Sequence, residues 1–457
     1  MTVLWESNKV DGIVEGTSSE SWTCSGISID SRSMEKGDLF VALTGENGDG
    51  HAFLQNAANK GARAALISQN IESPPLPTIR VPDTLKALEK LGIAARERSH
   101  AYRIAVTGSV GKTSTKDALK TIFKEQGLTH GSVSSYNNQW GVPLTLSRMP
   151  QDTQFAIFEV GMNHPGEIRP LTQMIKPEIV IITSIEEAHT EFFDSIEDIA
   201  RAKAEIFEGM AERDIVILNR DNPYFDLLSK LAREHDLRIW GFGQTEGADC
   251  RLLSWERVGD KSRVCADVGG KQFSYVLPLP GLHWVLNSLA IVSAAYLADA
   301  HMEKVITSLA LIEAPEGRGR RYTGSFTILD ESYNANPASM RAALAVLGQS
   351  GRGRKIAVLG DMREMGDRAR AHHEDLSEIL VENGIDMVFC CGPLMAHLYE
   401  RLPHSMKGGY APTSLELLPL VLKEVQPGDT LSIKASLGTR AKPIVEALLD
   451  LQRERIS

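Results

Sequence analysis

Short apolar runs alternate with amphipathic stretches along most of the chain, and this is the pattern of an α/β protein. Continuous apolar runs predict buried parallel strands, whereas apolar residues at every third or fourth position predict helices. The predicted strands cover 38–43, 63–67, 104–106, 155–160, 178–183, 214–218, 238–242, 326–329, 355–359, 387–391 and 430–434, with antiparallel structure at 250–280. The predicted helices cover 51–60, 113–123, a stretch after Ser195, 283–300, 303–312, a stretch after Pro337, 371–382 and 441–451.

Two breaks in this pattern divide the chain. Residues 72–82 include four prolines and predict a linker. Residues 315–321, PEGRGRR, fit either a domain boundary or a solvated basic linker. The sequence therefore predicts three domains: a small N-terminal αβ domain at 1–82, a central domain with a parallel sheet at 83–313, and a C-terminal Rossmann-like α/β domain at 314–457.

Composition excludes several classes of protein. The formal net charge of −10 argues against nucleic acid as a partner, because nonspecific binding to it requires a basic surface. No apolar run reaches the roughly 18 residues needed to cross a membrane, and the first residues do not resemble a signal peptide. The five cysteines show no C-x-x-C spacing, which is typical of reduced thiols in the cytoplasm. We therefore expect a cytoplasmic protein without a membrane or nucleic-acid partner.

The strongest chemical signal is the segment 103–123, RIAVTGSVGKTSTKDALKTIF. A strand, a glycine-bracketed turn and a helix start form a cradle for phosphate, because backbone amides and the positive end of the helix dipole converge there. Lys112 adds a positive charge for terminal phosphates, and the Thr113 hydroxyl suits Mg²⁺. The match to G-x4-G-K-[ST] is incomplete, since Val106 replaces the first glycine. The alternative is an ordinary strand–helix turn with a solvated lysine.

Polar residues follow the predicted strands of the central domain. Glu159 lies near the carboxyl end of strand 155–160, and His189 follows strand 178–183. Ligands of open α/β sheets bind beyond the carboxyl ends of the strands, so Glu159 is a candidate metal ligand. Taken singly, each of these residues also fits an ordinary loop.

Lys203 lies on the apolar face of a predicted helix. Ser195 and Asp198 form the capping signature S-x-x-[DE] at the helix start, and Ile196 and Ile199 define the apolar face. A buried lysine must lose its charge, find a partner or be modified. The alternative is that its ammonium group reaches solvent at the edge of the helix.

Two polar clusters in the N-terminal domain are open to two interpretations. Asp30, Ser31 and Arg32 follow a short apolar stretch, and Thr44 and Gly45 follow a predicted strand. Asp, Ser and Gly are turn formers, so both clusters fit simple turns. A guanidinium in this setting also suits a diphosphate.

Several motifs together resemble the Mur ligases, in the same order along nearly the whole chain. These motifs are TGSVGKTS, N-N-x-x-G-V-P-L-T, E-V-G-M-N-H-x-G-E-I, A-H-x-E-F-F, A-K-x-E-I, G-x-H-x-x-x-N and S-Y-N-A-N-P. The resemblance implies three domains, with the central one a P-loop-type ATP-binding domain, and a role in peptidoglycan synthesis in the bacterial cytoplasm. The segment S-Y-N-A-N-P-x-S-M, followed by L-G-D-M-x-E-M-G, resembles the members that join D-alanyl-D-alanine to UDP-N-acetylmuramoyl-tripeptide.

The resemblance also implies roles for individual residues. ATP phosphates would contact Lys112 and the loop residues Gly108, Ser109, Val110, Gly111, Thr113 and Ser114. Thr113 and Glu159 would hold one Mg²⁺, and Glu159, His189 and a carbamylated Lys203 would hold a second. The remaining nucleotide contacts would be Asn287, Arg318, Asp330, Tyr333, Asn334 and Asn336. The UDP-substrate side would include Asp30, Ser31, Arg32, Thr44, Gly45, Asn137 and Asn138.

Two positions depart from the family pattern, and two other functions stay open. Ala435 replaces the glycine of a K-G-S segment, which puts a left-handed turn there in doubt, and Trp284 replaces a second asparagine after His283. A MurE-like or folylpolyglutamate-synthase-like amide ligase has the same architecture. A P-loop motor or switch GTPase would instead hydrolyse nucleotide without an amino-acid acceptor. We expect a monomer that acts on small-molecule substrates.

Overall fold

The computed structural model describes residues 3–45, 48–133, 135–187, 190–351 and 353–455. Within these ranges the strands build three principal sheets and two short two-stranded ladders. One principal sheet lies in each of the three predicted domains, which confirms the α/β fold class with its three sheets. The exact domain limits stay a prediction. No helix of the described chain is both long and apolar enough to cross a bilayer.

The first sheet is small and mixed, with strand order β2-β9-β8-β5-β4. Its inner strands carry β-branched and other apolar residues, and Leu39, Leu66 and Ile79 are fully buried there. The elements of this part are β1 Trp5–Glu6, α1 Ser7–Val14, β2 Thr17–Ser18, β3 Thr23–Cys24, β4 Gly26–Ser28, β5 Asp38–Val41, β6 Thr44–Gly45, β7 Gly48–Asp49, α2 Leu54–Asn59, β8 Ala64–Ile67, β9 Thr78–Arg80 and α3 Thr84–Glu97.

The prediction of a linker at 72–82 is wrong, because residues 78–80 form β9, an interior strand of this sheet. Thr78 pairs with Ala65 of β8 in parallel, and Arg80 pairs with Thr17 of β2 antiparallel. The prolines lie before and after the strand, where no backbone N–H is required as a donor, and the carbonyl oxygen of Pro77 accepts a hydrogen bond from the Ala65 N–H at 2.8 Å. The proline-free stretch between them is rich in β-branched residues and buries Ile79 completely.

The central sheet follows the order β11-β12-β10-β13-β14-β15-β16-β17-β18. It is parallel from β11 to β16 and ends in the antiparallel ladder predicted at 250–280. Apolar cores cover both faces, which explains why the parallel strands are almost wholly hydrophobic. The elements are β10 Tyr102–Thr107, α4 Lys112–Lys124, β11 Thr129–Gly131, α5 Gly141–Ser147, β12 Phe155–Glu159, α6 Ile168–Ile175, β13 Ile179–Ile182, α7 Ile196–Ala204, β14 Ile215–Asn219, α8 Phe225–Glu234, β15 Arg238–Gly243, β16 Cys250–Val258, β17 Lys261–Val268, β18 Lys271–Leu277, α9 Leu282–Leu297 and α10 Met302–Leu309.

The third sheet has the order β19-β20-β24-β21-β22-β23 and is parallel except at β19. The basic segment at 315–321 is not a solvated linker, because Arg320 and Arg321 begin the edge strand β19. The elements are β19 Arg320–Thr323, β20 Thr327–Glu331, α11 Pro337–Gly348, β21 Lys355–Gly360, α12 Ala369–Glu374, α13 Leu376–Glu382, β22 Met387–Cys391, α14 Met395–Arg401, β23 Lys407–Ala411, α15 Ser414–Glu424, β24 Thr430–Lys434 and α16 Lys442–Glu454.

Helix α3 connects the first sheet to the central domain. Its residues Leu88 and Leu91 belong to the apolar core of the first sheet, and the helix also packs on α5. Trp5 strengthens this junction, since its indole N–H donates to the carbonyl oxygen of Ser147 at 2.8 Å. The predicted boundary at residue 83 therefore falls at a helix that both domains share.

The position of β9 can be tested by substitution in the strand. We predict that Ile79→Ala lowers the free energy of unfolding by about 2–5 kcal/mol, because it leaves a cavity in the first core. The matched control Arg80→Ala, at an exposed position of the same strand, is expected to change it by at most about 0.5 kcal/mol. Urea unfolding followed by tryptophan fluorescence measures both. Equal small effects would contradict the burial of this strand.

Candidate functional site

The loop between β10 and α4 depends on two glycines. Gly108 and Gly111 have φ angles of +144° and +87°, which side chains rarely adopt. A Cβ atom at Gly108 would collide with the Thr183 hydroxyl, and one at Gly111 would lie 2.7 Å from Nδ2 of Asn287. The loop therefore closes tightly on β13 and α9, and the first turn of α4 begins directly after it. This arrangement is typical of a phosphate-binding helix start.

Lys112 folds back over this loop rather than pointing into solvent. Its ammonium group donates to the carbonyl oxygen of Gly108 at 2.7 Å. Burial lowers the pKa of Lys112, an effect that the Glu159 carboxylate opposes and the Arg318 guanidinium reinforces. The structure therefore does not support the alternative interpretation, in which Lys112 is a solvated lysine of an ordinary turn.

Glu159 supplies a buried carboxylate beside the loop. It is the last residue of β12, pairs with Val106 of β10, and is 1% exposed. Its Oε1 accepts a hydrogen bond from Nδ2 of Asn137 at 2.7 Å. Its Oε2 is buried and has no hydrogen-bond partner among the residues that the structure describes. An unpaired carboxylate oxygen in such a place requires a cation or a donor.

These residues fit Mg²⁺ held jointly with phosphates. No cluster of three His, Cys, Asp or Glu side chains occurs in the described ranges. Mg²⁺ is commonly held by one or two carboxylates, substrate phosphates and water, so Glu159 with the Thr113 hydroxyl is a sufficient protein contribution. The predicted ligand His189 lies outside the described residues.

Residues of the third domain form the opposite wall of the same cleft, which has a volume of 440 Å³. Arg318 reaches across, because its Nη2 donates to Oγ of Ser135 at 3.2 Å and its guanidinium lies 4.1 Å from the centre of the Tyr333 ring. Ser135 Oγ is in turn 3.3 Å from the Thr113 hydroxyl. The residues predicted from sequence that line the cleft are Ser109, Val110, Gly111, Lys112, Thr113, Ser114, Asn137, Glu159, Asn287, Arg318, Tyr333, Asn334 and Asn336.

Asp330 does not line the cleft, whereas its neighbour Glu331 does. The Asp330 carboxylate is buried and accepts hydrogen bonds from the backbone N–H of Gly317 and from Ser332. Successive side chains of a strand point to opposite faces, so only one of the two acids can face the nucleotide side. In this structure Asp330 supports the turn that carries Arg318, and its predicted contact with the nucleotide stays a prediction.

Glu331, Lys434 and His283 are cleft residues that the sequence reasoning missed. Lys434 Nζ lies 3.5 Å from Oε2 of Glu331 and donates to the carbonyl oxygen of Asn334 at 3.0 Å. Burial raises the pKa of Glu331 and lowers that of Lys434, and their mutual attraction opposes both shifts. Burial also lowers the pKa of His283 to about 4, so its imidazole is neutral at pH 7. Two features of the sequence could have indicated these residues: the alternation of side chains along the strand that carries Glu331, and the position of Lys434 at the end of a strand.

Lys203 is 2% exposed, which confirms its predicted burial on the apolar face of α7. Its helix starts with the predicted cap, since Ser195 Oγ accepts a hydrogen bond from the Asp198 N–H at 3.1 Å. Burial holds the pKa of Lys203 well below its usual value, and the positive charge of Lys112 lowers it further. No carboxylate of the described chain offsets this effect.

The structure does not bring the N-terminal clusters into the cleft. Ser31 and Arg32 line a separate surface depression together with Asn56, Asn59 and Lys60. The Asp30 carboxylate accepts hydrogen bonds from the Arg32 guanidinium, at 2.7 Å for Nη2. The short strand with Thr44 and Gly45 contacts the central domain, because a Cβ at Gly45 would lie 2.9 Å from the Trp140 ring.

Asn138 and the two departures from the family pattern have local structural roles. Asn138 accepts a hydrogen bond from the N–H of Gly141 at 3.0 Å, at the start of α5. Ala435 is fully buried and is not among the residues with positive φ, so this turn does not require glycine here. Trp284 lines the cleft on α9, three residues before Asn287.

Known proteins are similar to this chain over nearly its whole length. Models described as Mur ligase family catalytic domain, Mur ligase middle domain and Mur ligase glutamate ligase domain match residues 23–120, 106–295 and 317–437. The UDP-N-acetylmuramoyl-tripeptide–D-alanyl-D-alanine ligase of Rickettsia prowazekii is 34% identical, over 97% of this chain and 99% of that protein. The enzyme of the same name from Bacillus subtilis is 31% identical, over 98% of each. A crystal structure of MurF from Acinetobacter baumannii superposes with a TM-score of 0.86 at 28% identity, covering 98% of this chain and 99% of that one.

The chain belongs to the Mur ligase family, as its motifs indicated. The three matched models follow the order of the three sheets along the chain.

Lys112 offers the most direct test of the phosphate loop. We predict that Lys112→Ala weakens binding of a non-hydrolysable ATP analogue at least tenfold, because it removes the cation closest to the glycine loop. Calorimetry measures the affinity, and circular dichroism checks that the variant folds. The matched control is Lys124→Ala, an exposed lysine in the last turn of the same helix. Unchanged affinity in folded Lys112→Ala would contradict the phosphate assignment.

Proposed function

We propose that the protein joins D-alanyl-D-alanine to UDP-N-acetylmuramoyl-tripeptide and converts ATP to ADP and phosphate, a step of peptidoglycan synthesis in the bacterial cytoplasm. The observation that carries the proposal is the single cleft in which the Lys112 loop and Glu159 face Arg318 and Asn334 of the third domain. Relatives of nearly the same length, at 34% and 31% identity, bear the name of this activity.

Activation of the peptide carboxylate is the first chemical requirement. A carboxylate is a poor electrophile, so the terminal phosphoryl group of ATP is transferred to it and an acyl phosphate forms. Lys112 and the amides at the start of α4 bind the transferred group and balance its charge. Glu159 and Thr113 would hold Mg²⁺, which supplies further neutralisation of phosphate charge when bound.

The third domain brings the acceptor to this intermediate. The amine of D-alanyl-D-alanine attacks the acyl carbon, and the tetrahedral intermediate then expels phosphate as the amide bond forms. Arg318 crosses from the third domain to Ser135 beside Thr113, so docking of the two domains completes the cleft. Much of the rate enhancement would come from this positioning and from exclusion of water.

A modified Lys203 is part of the proposal. An ammonium group that is 2% exposed, beside another cation, is costly, and its lowered pKa favours the neutral amine that reacts with CO₂. The carbamate that forms carries a negative charge and would serve a second Mg²⁺ together with Glu159 and His189.

Chemical rescue tests the carbamate. We predict that Lys203→Ala is nearly inactive and that a short-chain carboxylic acid partly restores its activity by filling the vacated space. Lys203→Arg should stay inactive with the acid, because it keeps a cation there. Carbon-13 NMR with labelled CO₂ should show a carbamate signal in the native chain that is absent from Lys203→Ala. The control is Arg201→Ala on the exposed face of the same helix. Full activity of Lys203→Arg would overturn the carbamate.

Arg32 tests where the UDP end of the substrate binds. We predict that Arg32→Ala raises the KM for the UDP-substrate about tenfold and leaves the KM for ATP within twofold, since a guanidinium binds diphosphate by paired hydrogen bonds. Steady-state kinetics with each substrate varied in turn measure this split. Arg63→Ala serves as a control in the same domain. An unchanged KM for the UDP-substrate would contradict this role and would mean that Asp30 and Arg32 only form a turn.

The rival functions predict different substrates. The tetrapeptide NKVD at 8–11 matches the guanine pattern N-K-x-D, but it lies in helix α1 of the first domain, far in sequence from the loop. Phosphate release measured with and without dipeptide separates a ligase from a switch or motor, because only a ligase requires the acceptor. Screening UDP-linked peptides and acceptors then separates this ligase from a MurE-like or folylpolyglutamate-synthase-like one.

A further inference from the structure

The segment at 183–187, which follows β13, is attached to the phosphate loop at Thr183, Ser184 and Glu186. Thr183 Oγ1 donates to the carbonyl oxygen of Val110 at 2.5 Å, and the Ser109 N–H donates to the carbonyl oxygen of Ser184 at 2.9 Å. Ser109 Oγ donates to the carbonyl oxygen of Glu186 and accepts from the Glu186 N–H, both at 3.0 Å. A change in the loop that displaces these atoms must therefore displace this segment.

The other end of the segment contacts the third domain through one side chain. The Glu187 carboxylate accepts a hydrogen bond from the Arg368 guanidinium on one oxygen. Its second oxygen lies 3.5 Å from Nε2 of His372, a side chain that is only 5% exposed. Two groups of the third domain thus converge on a single carboxylate of the central domain.

Neighbouring contacts follow the same junction. The Glu191 N–H donates to the carbonyl oxygen of Glu364 at 3.3 Å. Arg341 of α11 lies near enough to Glu186 to oppose the rise in the pKa of that carboxyl group that burial causes. At this end of the interface between the two domains the contacts are polar, and Glu187 lies at their centre.

The third-domain side of this junction is rigidly connected to its own ligand edge. Arg368 is the N-cap residue of α12, and His372 and the fully buried His373 lie in the last turn of this helix. His373 Nε2 accepts a hydrogen bond from the N–H of Met362, just beyond the carboxyl end of β21, at 2.9 Å. Ligands of open parallel sheets bind at this edge, so it is where an acceptor would enter.

We propose that Glu187 is a positioning residue that couples the phosphate loop to the third domain through its ion pair with Arg368, beside which His372 lies. The contacts form one continuous connection from Ser109 to Met362, and each step is a hydrogen bond, an ion pair or a helix. Nucleotide that orders the loop favours docking of the third domain, and docking in turn favours the loop arrangement that holds nucleotide. By reciprocity, nucleotide and dipeptide then increase each other's affinity by the same factor. The identity of the dipeptide rests on the proposed function.

Arg368→Ala is the central variant, because the Arg368 side chain is 63% exposed and its loss does not threaten the fold. A non-hydrolysable ATP analogue is expected to tighten D-alanyl-D-alanine binding by about fivefold or more in the native chain, within the usual range of coupling between sites. In Arg368→Ala and Glu187→Gln this factor should fall to within twofold of unity, with a higher KM for the dipeptide. The matched control is Arg370→Ala, which breaks an ion pair with Glu374 inside α12 and should keep the native factor.

Charge exchange makes the test specific. Glu187→Arg and Arg368→Glu alone should each lose the coupling, and the double variant should recover at least half of the native factor. The proposal would be overturned if Arg368→Ala and Arg370→Ala had the same coupling factor. It would also be overturned if the factor of the double variant were no larger than that of its worse parent. Small-angle scattering with the analogue alone adds a readout that needs no acceptor: the radius of gyration should increase in Arg368→Ala and not in Arg370→Ala. If the native chain does not use the dipeptide, the proposed function is wrong, but the scattering measurement still tests the role of Glu187.

Discussion

The site depends on one close packing contact: the loop between β10 and α4 lies directly against the end of β13 and against α9. Gly108 and Gly111 have no side chains, so Thr183 and Asn287 approach the loop backbone directly. This approach brings β13 and α9 against the start of α4, where an anion is favoured by unpaired amides and the helix dipole. Larger residues would push the loop away from Asn287 and from the segment leading to Glu187.

Around this loop the chain keeps several charged side chains away from water. Glu159, Lys203 and Lys434 are buried, and Lys112 is partly buried in the wall of the cleft. The carboxylate of Glu159 has an oxygen without a partner among the described residues. Burying such groups costs free energy unless partners compensate. A phosphate-bearing nucleotide and divalent cations would supply such partners, so these buried charges favour the binding of ligands of that kind.

The cleft is formed by two domains, so the contacts between the central and third domains determine its shape. The central domain contributes the loop and Glu159, whereas the third domain contributes Arg318, Glu331 and Lys434. Each domain presents the carboxyl ends of its parallel strands, and the two edges face each other. Polar contacts between domains allow relative motion more readily than large apolar ones, so the ion pair of Glu187 with Arg368 is compatible with relative motion of the two domains.

The sequence by itself determined the elements and the chemistry that is local in the chain. Apolar runs located most strands of the central and third domains, although not β11, β19 and β23. Ser195 and Pro337 marked helix starts, and the glycine-bracketed loop with Lys112 was readable because its residues are contiguous. Only the tertiary structure decided which of Asp330 and Glu331 faces the cleft, because that depends on which side of β20 is covered. It also showed that 78–80 is a strand, since prolines around it hid a pairing set by distant partners. The contacts of Arg318 with Ser135 and of Glu187 with Arg368 join residues more than 180 positions apart, and no local pattern encodes such pairs.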